Sequence, residues 1–140
     1  MESLKEIAKN LKHISEEAAK WQEVKKEVFK PLVKDTKYIS SIRKWVVEDF
    51  ERLDNSIKSK FTYKDFFLMI VIFLYSPQAI AEESLSNGVR NELRKELGTH
   101  PTRISHSLSK VRNWIYIYRD FEESLTYLYS EILNRLKEYE

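Results

Sequence analysis

An all-α fold, a bundle of amphipathic helices, is what this sequence predicts, and three observations carry the prediction. Only two glycines and three prolines punctuate 140 residues, too few for a sandwich or barrel whose strands turn about every 8 to 12 residues. Apolar residues recur at three- and four-residue steps in successive segments, the spacing that lines one face of a helix. With 42% hydrophobic and 13% aromatic residues, the chain carries the apolar surface that a packed core needs and that disordered chains lack.

The first helix is expected from about Glu2 to Lys30, where Leu4, Ile7, Leu11, Ile14, Ala18, Trp21 and Val28 repeat in a 3-4 pattern broken only by Lys25. That is a heptad seam, and it serves either a helix within a bundle or a helix pair between chains. Its flanks carry Asn10, Ser15, Gln22 and Val24 in place of the charges that usually choose a partner. Pro31 stops the helix by removing a backbone donor. A second helix is expected from about Asp35, a plausible cap, to Ile57, with Tyr38, Ile42, Trp45, Val46, Phe50 and Leu53 on one face. Residues 1–60 thus read as an N-terminal pair of long helices suited to oligomerisation.

Residues 61–140 read as a helical domain. Thr62 with Asp65 three residues on marks a helix start, and the ten apolar residues Phe66–Tyr75 follow. A membrane-spanning helix needs roughly 20 such residues, so this run is expected to be a buried core helix. After Pro77 a short helix over about Gln78–Leu85 is expected, then a sharp turn at Ser86-Asn87-Gly88. A last amphipathic helix from Asp120 carries Phe121, Leu125, Leu128, Ile132 and Leu136 as its stripe, with Asp120–Glu123 as a capping-box-like start.

Several function classes lose their footing on the same residues. Without cysteine there is no disulfide framework, thiol nucleophile or thiolate zinc site. His100 and His106 are six apart, not the i, i+4 spacing that puts two ligands on one helical face, so no metal is expected. Glu16-Glu17, Glu82-Glu83 and Glu122-Glu123 are adjacent pairs, which do not face each other on a helix. With no glycine-rich phosphate loop and no nucleophile beside a base, neither an enzyme nor a cofactor is expected. The charged opening Met1–Lys5 lacks an apolar stretch behind it, so a cytoplasmic protein without a signal peptide is expected.

One segment carries a positive signal. In Asn91–Leu108, Leu93 and Leu97 give a first helix its apolar face and Gly98 permits a sharp turn. Pro101 then opens a second helix, which Ile104 and Leu108 pack back. These twenty or so residues resemble the helix-turn-helix of bacterial repressors and sigma-factor-like regulators; Arg94 departs from the pattern, which has a small residue four places before the glycine. The resemblance places a helix-turn-helix at about 90–118 within the bundle and implies double-stranded DNA as a partner. It also implies that Thr102, Ser105 and His106 face base edges in the major groove, with Arg103 reaching bases or backbone. Arg90, Lys95, Lys110 and Arg112 read as phosphate contacts.

Charge distribution points the same way. Between Ser86 and Arg119 seven basic residues stand against two acidic ones, a net +5, so the rest of the chain is −3 against an overall +2. No acid occurs in Pro101–Tyr118, as suits a surface facing phosphates. The aromatic run Trp114–Tyr118 reads as helix and core, since Leu108, Val111, Ile115 and Tyr118 continue the stripe begun at Ile104; a short strand or a stacking platform for single strands is the other reading. The expected function is a small DNA-binding regulator or mobile-element accessory factor, with phage packaging or replication as a variant. It would be a homodimer paired through Leu4, Ile7, Leu11 and Ile14, because such motifs read two half-sites. The alternative is a structural or interaction bundle that never touches nucleic acid.

Overall fold

In a computed structural model, residues 3–28, 30–81 and 85–138 are described, with the side chains of 25–28, 81, 87 and 101 excepted. They divide into two units, Met1–Lys30 and Pro31–Glu140. All the described regular structure is helical. The first unit is one α-helix, α1 (Leu4–Val28). Every described side chain on it is exposed, including Leu4 at 84%, Leu11 and Ile14 at 63% and Trp21 at 68%. Its apolar seam therefore has no partner within that unit, and the expected seam positions Lys25 and Val28 lie outside the described side chains.

The second unit holds the core. It contains α2 (Ile39–Phe50), α3 (Asn55–Lys58), α4 (Tyr63–Tyr75), α5 (Asn87–Leu97), α6 (Pro101–Ile117) and α7 (Arg119–Lys137). Helix α4 is central, packed by α2, α5, α6 and α7. It is consequently apolar nearly all round: Phe66–Ile72, Leu74 and Tyr75 are buried, as a helix enclosed by neighbours requires. Its start is a capping box in which the Thr62 N–H donates to Asp65 Oδ2 at 3.1 Å. Its end is met by the chain arriving from Pro31, since the Leu32 and Val33 amides donate to the Leu74 carbonyl at 3.0 and 3.1 Å, satisfying an acceptor that the ended helix leaves open.

Aromatic packing closes the region where α4, α6 and α7 meet. Phe66 stacks on Phe121 with centroids 4.8 Å apart, and Phe61 lies 5.1 Å from Phe121 and 5.3 Å from Trp114. Across the surface of this cluster Lys60 Nζ donates to Asp120 Oδ2 at 2.9 Å, and that hydrogen bond holds the Asp120 carboxyl below the ordinary carboxylate range. On the far side of α7, Arg135 reaches α2 and donates to buried Asp49 at 2.8 Å.

Four sequence expectations need correction. The helix expected over Asp35–Ile57 is a 3-10 turn (Thr36–Tyr38, capped by the Asp35 carboxylate), then α2, a turn and α3; Asp54, Asn55 and Ser56 favour local hydrogen bonds over a helix interior. Gly88 makes no sharp turn but sits in the first turn of α5, because the chain changes course one residue before the helix, at Ser86, the extended N-cap with φ −65° and ψ 148°. The helix expected over Gln78–Leu85 is a 3-10 turn, Pro77–Ala81, as far as it is described. Tyr118 is 45% exposed and breaks the stripe, ending α6 in an extended conformation, and α7 starts at Arg119.

Candidate nucleic-acid interface

Helices α5 and α6 pack on each other and are joined by the turn Gly98–His100. Gly98 holds φ 60° and ψ 38°, the left-handed conformation that costs a glycine least. The Gly98 and Thr99 amides both donate to the Arg94 carbonyl, the second at 3.3 Å, closing the helix end. Arg94 itself is exposed, so its bulk does not stand between the two helices. On the far side of the turn His100 Nδ1 accepts from the Thr102 N–H at 3.4 Å. That makes His100 the cap of α6, and Pro101 then opens the helix with the φ it already has.

Helix α6 buries Ile104, Leu108 and Val111 and half-buries Trp114 and Ile115. At 3.6 residues per turn, the middle of the opposite face is the line Thr102, His106, Ser109, Asn113, all exposed. Arg103 and Lys110 lie two turns apart along one flank of that face, and Ser105 lies on the other flank with Arg112 beside it. So the four residues expected to read bases are all exposed, but only Thr102 and His106 share the centre. Ser109 and Asn113, missed in reading the sequence, belong to that centre; stepping from Thr102 by four, three and four residues would have found them.

The expected phosphate contacts divide. Lys110 is exposed, with its ammonium 4.9 Å from the centre of the Trp114 ring. Lys95 is exposed on α5 and Arg90 is half-buried. Arg112 turns toward the 3-10 segment, where Nη1 donates to the Ala79 carbonyl at 2.7 Å, so its guanidinium already serves the fold. Arg103 and Lys110 are joined by a cation remote in sequence, Lys64 of α4, and the three line one cleft. No periodicity or motif pairs Lys64 with α6. The far end of α6 leaves Tyr116 79% and Ile117 65% exposed, so the aromatic run is helical as far as Ile117 and only its first part joins the core.

Among the described residues no group of three His, Asp or Glu side chains is placed to hold a metal ion, and no helix is long and apolar enough to cross a membrane. Comparison with protein-family models, with curated proteins and with solved structures finds no match to this chain.

Proposed function

We propose that the chain binds duplex DNA through α5 and α6, as a small regulator or mobile-element accessory protein. The observation that carries the reading is the outward face of α6. Thr102, Arg103, Ser105, His106, Ser109, Lys110 and Asn113 are exposed together on a helix without a single acidic residue. Such a face offers hydroxyl, imidazole and amide groups for base edges at its centre and cations for the backbone along its flank. Arg103, at the start of the helix, is the residue of this set that can engage a guanine edge through two donors.

An electrophoretic shift with random-sequence duplex tests it. Binding should weaken on the order of a hundredfold between roughly 50 and 200 mM salt, because each neutralised phosphate releases a counterion. Salt-independent binding, or none at low salt, defeats the reading in favour of a bundle that acts only through proteins.

The reading extends to a homodimer, with a second copy of the chain covering the seam Leu4, Ile7, Leu11 and Ile14. A 25-residue helix with its apolar stripe in water is marginal alone, since most helical stability in proteins comes from packing an amphipathic face. A paired reader also engages two half-sites, which a single motif with few base contacts needs.

A further inference from the structure

The cleft shared by α4 and α6 holds more cationic chemistry than reading a duplex with α6 requires. Its volume is about 340 Å³, within the range of small-ligand sites. Lys64 enters from the first turn of α4, Arg103 and Lys110 from α6, and Thr62 and Ser107 line the same cleft. The one carboxylate present, Asp65, is engaged in capping, its Oδ2 taking both the Thr62 N–H and the Thr62 hydroxyl at 3.1 Å. Three cations thus face one occupied acid, and among the described residues neither Lys64 nor Arg103 has an ion-pair partner.

We infer that this cleft binds a phosphate group, carried by a free phosphomonoester or by a nucleic-acid backbone. A lone carboxylate would be satisfied by one guanidinium. Three cationic residues lining one cleft, with Ser107 among the lining residues, instead match a tetrahedral group that has several charged acceptor oxygens. The start of α4 adds the positive end of a 13-residue helix dipole to the same wall. As a site for a free phosphomonoester it stands without the duplex reading; as a site for a backbone phosphate it rests on that reading. Where the source is a free phosphomonoester, ligand and duplex compete for Arg103 and Lys110, and each weakens the other by the same factor.

Two assays on the full chain separate the sources: deoxyadenosine monophosphate titrated against backbone amide NMR shifts, and random duplex in the electrophoretic shift. Each is run on the wild type, on Lys64→Ala, and on Lys34→Ala, which removes an exposed lysine outside the cleft. For a free phosphomonoester, the mononucleotide moves the amides of residues 62–65 and 103–110, deoxyadenosine does not, and Lys64→Ala weakens binding about fivefold or more. For a backbone phosphate, the mononucleotide is silent, and Lys64→Ala weakens duplex binding about five- to tenfold and lowers the salt slope by about one. Lys34→Ala leaves both unchanged. A mononucleotide bound in the cleft by a chain that ignores duplex upholds this site and removes the duplex reading. The inference is overturned if Lys64→Ala matches Lys34→Ala in both assays, if the shifts fall elsewhere, or if the wild type binds neither ligand.

Discussion

Asp49 is fully buried on α2, where an isolated carboxylate would be costly. Arg135 makes it tolerable from α7, with Nη2 2.8 Å from Asp49 Oδ1 and Nη1 3.0 Å from Glu48 Oε2, while Arg52 stands 3.5 Å away on the more exposed side. Removing the arginine should therefore hurt more than removing the pair. Arg135→Met is expected to lower unfolding stability by about 3 kcal/mol, and Arg135→Met with Asp49→Leu by clearly less, because the double change leaves no buried charge unpaired. Urea unfolding of the two variants decides it; equal losses would show that the guanidinium contributes packing alone. Nothing in the sequence marks this pair, since residues 86 positions apart meet only when α2 and α7 do.

The turn between α5 and α6 shows which elements a sequence exposes and which it conceals. Thr62 with Asp65, Asp35 and Gly98 were all legible, because a cap or a left-handed turn is decided by side chains within about four residues of the backbone they serve. Ser86-Asn87-Gly88 was legible too, but ambiguous: the same residue types that make a turn also start a helix, and here they start α5. Lys64 was not legible, since its place beside Arg103 depends on how α4 crosses α6. The turn itself gives a clean test. A Cβ on Gly98 would meet nothing within 4 Å, so the cost of Gly98→Ala is conformational only, about 1 kcal/mol. Gly98→Asn should cost less, as asparagine tolerates the left-handed region. Thermal melts showing Gly98→Ala unchanged would mean that the turn adopts another conformation in solution.

At the scale of the molecule the chain is two things: a helix exposed along its described length and a unit that buries its own core. Because Pro31–Glu140 is compact by itself, damage to the α1 seam should spare it. Ile7→Asp with Leu11→Asp is expected to turn a dimer into a monomer and to weaken duplex binding about tenfold or more, since one half-site is then read alone, while the melting of the core unit is unchanged. Sedimentation that finds the wild type monomeric at micromolar concentration would refute the dimer. The core of that unit has a temporal consequence as well. Phe121, Leu128 and Ile132 of α7 are fully buried, and α7 packs on α2, α4 and α6. Helices α2 to α6 can form as they leave the ribosome, but the cover that α7 gives Phe61, Phe66 and one side of α4, through Phe121 above all, arrives last. Until then the nascent chain presents an aromatic surface that chaperones recognise, and arrest of synthesis before residue 121 should yield an aggregation-prone product.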